Sequence, residues 1–326
     1  MNNTALTCWV ISDGRRGIEN QALGLAEAAS NIAPLDIDRH IIKNGKTFAA
    51  ASPRLQFGLK SKPRDYGLPR QLPDIAIGCG RQAIAPLLAL KKASASIFTA
   101  YVQNPKIDPA SFDVVFSPSH DRISGPNVEL MIGSPNRVTN ALITAQTKHF
   151  NEILKSLPTP RVAMLIGGPS KSRQLGNSNQ QSHLLAAQKA IDQGYSLMIT
   201  TSRRTPKSSI TDYKKLASKH DNIWLYDGEG ENPYYAFLGG ADAILVTEES
   251  TNMLTEACAT GKPVFRLSMS GSSGKFSSLY EDLSIRCSVA PFKGSFLNDS
   301  YAPLLETRRA AQQFWAHFEK RNAILN

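Results

Sequence analysis

The second half of the chain carries two basic, hydroxyl-rich runs of the kind that hold a diphosphate. Met164–Ile166 leads into Gly167-Gly168-Pro169-Ser170-Lys171-Ser172-Arg173, where two glycines open the backbone and Lys171 and Arg173 can reach phosphate oxygens. Thr200–Thr201 leads into Ser202-Arg203-Arg204, hydroxyls followed by two guanidinium groups suited to bidentate phosphate contact. A third run, Val246 to Pro263, reads as strand, hydroxyl-rich turn, helix and Gly-Lys-Pro exit. Ser250, Thr251 and Asn252 fall at that helix's N-terminus, where an anion is favoured, and Glu256 lies one turn inward, placed to accept hydrogen bonds from two ribose hydroxyls. The plainer readings are an N-cap for Ser250 and a solvated helix charge for Glu256.

The first half offers a different set. Ser12-Asp13-Gly14-Arg15-Arg16-Gly17-Ile18-Glu19-Asn20-Gln21 joins an apolar run to a helix of small residues. Gly14 and Gly17 let the backbone approach a ligand, while Asp13 and Glu19 are candidate proton acceptors and Arg15, Asn20 and Gln21 candidate contacts for an acceptor. The run is neither a Walker A loop nor G-x-G-x-x-G, and a tight turn without catalytic meaning is the competing reading. Gly78-Cys79-Gly80-Arg81 and Ser117-Pro118-Ser119-His120-Asp121-Arg122 follow later apolar runs; Gly80 and Arg81 join the acceptor-side candidates, and His120 is a third candidate base. Neighbouring side chains on extended backbone face opposite ways, so His120 and Asp121 need not pair; a structural histidine is the competing reading.

The elements that must position these groups alternate short apolar runs with helix-length segments, the pattern of parallel sheets with crossover helices. Strands are expected at Leu6–Ile11, Ile37–Ile42, Ile75–Ile77, Ile97–Val102 and Val114–Phe116, then at Arg161–Ile166, Leu197–Thr201, Ile223–Tyr226, Ala243–Val246 and Val264–Leu267. Ala141–Leu157 reads as a helix stopped by Pro158-Thr159-Pro160, so the domain boundary is expected there: 1–157, then 158–303, with an amphipathic helix over 304–326. In open α/β sheets ligands lie beyond the carboxyl ends of the strands, which is where the runs above fall. A chain of 326 residues suits two such domains.

Composition narrows the class. With 41% hydrophobic and 20% charged residues the chain is globular, and no apolar stretch approaches the ~18 residues of a membrane span. The start lacks the basic region of a signal peptide, which leads us to expect a cytoplasmic protein. Four scattered cysteines and six scattered histidines show no metal spacing, so no metal is expected. From Arg39 to Gln71 eight Lys/Arg face one acid, Asp65, and are interleaved with Phe48, Leu55, Phe57, Leu59, Tyr66 and Leu68. No nucleic-acid motif accompanies this segment, so nucleic acid is not expected as a partner. An anionic membrane face is one reading and a solvated basic loop the other.

Several motifs together resemble a known family. Asp13–Gln21, Pro73–Arg81, His120–Asn127, Ile166–Ser170, Thr201–Thr205, Glu231–Tyr234 and Glu256–Pro263, in this order, are similar to the mitochondrial-fission ELM-type family, which has bacterial and plant members. That family looks like glycosyltransferase-B enzymes such as the undecaprenyl-linked N-acetylglucosaminyl transferase of peptidoglycan synthesis. The resemblance implies two Rossmann-like parallel-sheet domains facing a cleft, a nucleotide in the C-terminal domain, an acceptor in the N-terminal one and a C-terminal helix crossing back. It places Glu256 as the ribose-binding acid. The histidine that serves as base in the peptidoglycan enzyme has no counterpart; Asn20 falls near it, leaving Asp13, Glu19 and His120 as alternatives.

The implied activity is metal-independent transfer of a sugar from a nucleoside diphosphate, the nucleotide sugar being substrate rather than cofactor, with a lipid-linked or envelope acceptor expected and the protein peripheral to the inner face of the cytoplasmic membrane. The alternatives are a nucleotide-sugar epimerase and a non-catalytic membrane-surface adaptor on the same fold.

Overall fold

The computed structural model describes residues 5–297 and 299–325, and the chain divides into two compact units, one running to Arg137 and resuming at Leu305, the other Val138–Leu304. The first unit holds six parallel strands, β1 (Leu6–Ser12), β2 (Leu35–Ile41), β3 (Ile75–Cys79), β4 (Phe98–Val102), β5 (Val114–Pro118) and β6 (Val128–Met131), in the order β2-β1-β3-β4-β5-β6. β3, β4 and β5 are buried along their whole length, as parallel strands covered on both faces must be, which explains their mainly apolar sequences.

Helix α1 (Arg16–Ser30) follows β1, α2 (Lys46–Ala50) and α3 (Pro53–Leu59) follow β2, and α4 (Arg81–Ala93) follows β3. α1 lies so close to the chain at Asn136 that a Cβ on Gly24 would stand 2.4 Å from the Asn136 carbonyl oxygen. Basic residues 39–70 are not one loose loop. Ser52 caps α3, the Gln56 amide donates to the Ala51 carbonyl at 2.9 Å, and the buried Tyr66 hydroxyl donates to the Lys60 carbonyl at 2.6 Å.

In the second unit α5 (Asn140–His149) and α6 (Asn151–Ser156) precede β7 (Arg161–Ile166), and β8 (Arg173–Gln174) leads to α7 (Asn177–Asp192). β9 (Ser196–Thr201), α8 (Lys207–Ala217), β10 (Ile223–Tyr226), α9 (Tyr234–Gly240), β11 (Ala243–Thr247), α10 (Thr251–Cys258) and β12 (Val264–Leu267) continue the alternation. β13 (Ser270–Gly271), α11 (Phe276–Cys287) and β14 (Ala290–Pro291) complete it. The parallel sheet runs β10-β9-β7-β11-β12-β14, and β13 pairs with β8 antiparallel.

The boundary expected at 157/158 is displaced. The segment 140–157 packs against α9 of the second unit, because Gly239 on that helix has no side chain: a Cβ there would meet Thr147 Oγ1 at 2.3 Å and Ile143 Cγ2 at 2.5 Å. Arg161 ties its far end by donating to the carbonyls of Leu154 and Leu157, at 2.8 and 2.9 Å. The prolines therefore stop a helix of the second unit. α12 (Glu306–Leu325) belongs to the first unit, where Phe314 and Trp315 join the core around α1 and Trp315 Nε1 donates to the Ala29 carbonyl at 2.9 Å.

Candidate functional site

Each sheet has a switch point, where strand order reverses and the connections leave on opposite sides, opening a crevice at the carboxyl ends. In the second unit it falls between β7 and β11, so the loops from Gly167 and from Glu248 meet there. The Gly167 amide donates to Thr247 Oγ1 and the Gly168 amide to Glu249 Oε1, both at 2.8 Å. A Cβ on Gly167 would stand 1.7 Å from Glu249 Oε1, and one on Gly168 2.2 Å from the Arg204 carbonyl oxygen. The bare Cα of Gly167 makes room for the Glu249 carboxylate and that of Gly168 for the Arg204 backbone, so within the fold both glycines serve the packing of this loop.

Glu249 carries no signal in the sequence that marks it as part of the site. Its side chain is 0% exposed, and burial holds its carboxyl above the ordinary range despite the amide of Gly168 and the guanidinium of Arg204. Arg204 Nη2 approaches Glu249 Oε1 at 3.4 Å while Nη1 donates to the Gly168 and Pro169 carbonyls at 3.2 and 3.0 Å. The Arg204 side chain stays 49% exposed, so the carboxylate positions a cation whose outer edge faces solvent. Ser202 builds the turn below it, its amide donating to Thr205 Oγ1 and its hydroxyl accepting from the Arg204 amide. Lys171 and Arg203 are exposed and make no ion pair among the described residues.

Arg173 departs from its expected role. It is buried, with Nη1 at 3.0 Å from Glu248 Oε1 and donating to the carbonyls of Met269 and Gly271 at 2.9 and 3.2 Å. An arginine spent on a buried carboxylate cannot reach a phosphate. Glu248 and Glu249 thus point to opposite sides of the chain, one fastening β8 and Met269, the other the glycine loop.

Ser250 caps α10, its hydroxyl accepting from the Met253 amide at 3.4 Å, and Thr251 and Asn252 form the half-exposed first turn. Glu256 is 8% exposed, and its Oε2 accepts from the Tyr234 hydroxyl, at the start of α9, at 2.5 Å. Burial raises the Glu256 carboxyl to about 7. The plain reading of Glu256 as a solvated charge is therefore excluded, and Tyr234 joins the site. Lys262 faces away, donating to the carbonyls of Leu238 and Gly239 that end α9.

In the first unit the switch point lies between β1 and β3. There a cavity of about 340 Å³ is lined by Asp13, Arg15, Ala49, Arg81 and Gln82. The Arg15 guanidinium clamps Asp13 Oδ2 at 2.7 Å from Nη2 and 2.9 Å from Nε, and Gly14, at φ +75°, makes the turn that allows it. Arg81 donates to the Ala50 and Ala51 carbonyls at 2.7 and 2.5 Å, holding α2 beside the cavity. Gly80, at φ +83°, leaves room for Ile18.

The other acceptor-side candidates are placed differently. Gln21 is buried, its amide donating to the Gly17 carbonyl at 3.0 Å and its carbonyl accepting from Gln103 at 3.1 Å. Asn20 is half-buried on α1 and does not line the cavity. His120 is buried in a turn after β5 and does not line it either. Glu19 turns to β2, where Arg39 donates to Oε1 from Nε at 3.0 Å and from Nη2 at 2.5 Å. Glu19 thus faces β2 and does not line the switch-point cavity, where Asp13 does. Glu19→Gln is expected to lower stability by about 1–2 kcal/mol while leaving nucleotide binding and turnover per folded molecule unchanged; urea titration beside an activity assay checks this.

Two parallel six-stranded sheets with helices, each with its own switch point, give this chain a fold of glycosyltransferase-B type. The family model for mitochondrial fission ELM1 matches residues 16–318, and the chain belongs to that family. The mitochondrial fission protein ELM1 of Arabidopsis thaliana is 27% identical over 267 residues, covering 73% of this chain and 62% of its own length, so the chain spans less than two thirds of that relative. Among solved structures, the UDP-GlcNAc 2-epimerase of Methanocaldococcus jannaschii aligns with a TM-score of 0.59 at 12% identity, covering 95% of this chain and 99% of that one. The UDP-GlcNAc 2-epimerase of Neisseria meningitidis bound to UDP-GlcNAc aligns at 0.56 with 13% identity, covering 96% and 99%.

Proposed function

We propose that the second unit binds a nucleoside-diphosphate sugar at its switch point and that the chain transfers the sugar to a hydroxyl acceptor taken by the first unit. The observation that carries the nucleotide reading is Arg204 held by Glu249 just before the helix that opens at Ser250 and contains Glu256, with exposed Lys171 and Arg203 on the loops that follow the neighbouring strands β7 and β9. In transfer, the bond from the anomeric carbon to the diphosphate breaks with its electron pair on the diphosphate. The acceptor oxygen bonds that carbon and gives up its proton. Cations and helix amides stabilise the departing diphosphate without a metal. The acceptor reading rests on the cavity at Asp13, where that carboxylate is the candidate to take the proton.

Uridine diphosphate and UDP-GlcNAc are expected to raise the melting temperature, since a ligand at 100 times its Kd adds about 2.7 kcal/mol of stability. Arg203→Ala should weaken binding about tenfold without changing the melting of the free protein, one lost charge-assisted contact being worth ~1.5 kcal/mol. If no nucleotide shifts the melting of folded protein, the donor site falls and the adaptor reading replaces it.

The likeness to UDP-GlcNAc 2-epimerases favours a second reading, isomerisation of the nucleotide sugar itself. An epimerase converts nucleotide sugar alone, whereas a transferase releases nucleoside diphosphate only when an acceptor is present. Incubation of UDP-GlcNAc with and without acceptor, followed by chromatography, separates the two.

A further inference from the structure

A second cavity of the first unit, of about 540 Å³, lies at the edge strand β2 rather than at the switch point and plays no part in the activity proposed above. Three cations line it, Arg39, Lys43 and Lys60, against one carboxylate, Asp65, whose Oδ2 already accepts the Lys62 amide at 3.0 Å. Arg39 spends one edge of its guanidinium on Glu19 yet remains 55% exposed. Asn44 also lines the cavity, and its side-chain nitrogen is buried without a hydrogen-bond partner among the described residues. The cavity therefore holds fixed positive charge, three cations against one carboxylate, the complement of a phosphate.

Its wall is built rather than loose. Tyr66 is buried with its hydroxyl bonded to the carbonyls of Gln56 and Lys60, and Lys60 Nζ sits 4.7 Å from the centre of the Phe48 ring. Immediately before Lys60, α3 turns Leu55 and Leu59 outward at 54% and 68% exposure, four residues apart and so on one face. Arg54, Lys62, Arg64 and Arg70 are exposed around them. Tyr66 and Leu68 are buried, and Phe48 and Phe57 pack against the core, so of the apolar residues interleaved with these charges only the two leucines face outward.

A phosphate pocket beside an outward leucine pair, within a basic surface, matches a phospholipid better than a free anion: the headgroup meets the cations while the leucines enter the acyl boundary. We propose that this cavity takes the phosphate of an anionic lipid headgroup, with Leu55 and Leu59 as the apolar anchor, and so docks the first unit on an anionic membrane surface.

The test is sedimentation of the full chain with vesicles of phosphatidylcholine alone and of equimolar phosphatidylcholine and phosphatidylglycerol. Binding is expected to the anionic vesicles only and to be released by high salt. Lys43→Gln with Lys60→Gln should lower the partition coefficient tenfold or more, and Leu55→Ser with Leu59→Ser by a similar factor, with melting temperatures unchanged for the leucine pair. Lys155→Gln with Lys207→Gln, removing the same charge from exposed sites of the second unit, should lower it less than threefold. An equal loss in that control overturns the pocket in favour of diffuse attraction. No loss in the leucine variant overturns the anchor. Stabilisation by inorganic phosphate without vesicle binding reassigns the cavity to a free anion, and equal weak binding to both vesicle types ends the docking proposal.

Discussion

Arg173→Ala is expected to destabilise the second unit by about 3–5 kcal/mol, the cost of removing one partner of a buried ion pair. With side-chain exposures of 8% for Arg173 and 10% for Glu248, neither charge is hydrated, and the arginine also satisfies the Met269 and Gly271 carbonyls. Its loss leaves Glu248 with the Met269 amide at 2.8 Å and Arg266 at 3.6 Å. Melting should fall by roughly 6–20 °C, taking 2–4 °C per kcal/mol for a unit of this size. Trp224 is the sole tryptophan between Val138 and Leu304, so urea titration followed by fluorescence reports on this unit alongside Trp9 and Trp315 of the other. Replacing both charges, Arg173→Met with Glu248→Met, should recover only part of the loss, because Arg266, 15% exposed and 3.6 Å from Glu248, then loses its carboxylate. Nucleotide affinity lost without any change in melting would instead return Arg173 to the role of phosphate ligand.

Glu256→Gln is expected to stabilise the free protein and weaken its hold on nucleotide. Burial raises the folded-state carboxyl from an ordinary 4.5 to about 7, so across that window the folded protein keeps a proton the unfolded chain has lost. Stability therefore falls as pH rises from about 4.5 through about 7, and above that the full cost of the buried charge is present, on the order of 3 kcal/mol at ~1.4 kcal/mol per pH unit. Glutamine has no charge to bury, and its side-chain oxygen still accepts from Tyr234. The variant should melt higher than the parent at pH 8 and match it near pH 4.5, with a flatter profile between.

At the donor site proposed above, the functional cost falls on the ribose. Losing a charged acceptor for its hydroxyls removes ~1.5–3 kcal/mol, about 10- to 150-fold in affinity. Affinity of the parent for a nucleotide sugar, whose diphosphate gains no proton in this range, should rise as pH passes about 7 and that of the variant should not. Scanning calorimetry and isothermal titration across pH check both arms. Identical pH slopes for the two free proteins would show that Glu256 is not the group being charged.

The alternation of strands and helices was legible because each parallel strand buried on both faces needs its own apolar run. Arg161–Ile166 and Val264–Leu267 lie where their composition places them, and so does the half-buried edge strand Ile223–Tyr226. The edge strand β6, Val-Glu-Leu-Met, escaped because only Met131 is buried and its other residues leave no continuous run. The position of Glu256, one turn into a helix with recognisable ends, was legible for the same local reason. Its burial was not, since that depends on Tyr234 arriving from another helix.

Side-chain partners were what the tertiary structure alone decided. Arg173 and Arg204 have the same chemistry and similar neighbours in sequence, yet one is sealed against Glu248 and the other stands half in solvent on Glu249. Glu19 and Asp13 differ likewise, one turned to Arg39 on β2 and the other set in the cavity with Arg15. Periodicity is written in spacings of a few residues and so specifies which elements form. Whether a charged group inside them meets a counter-charge or water depends on residues tens of positions away, brought there by strand order, and no local pattern encodes that.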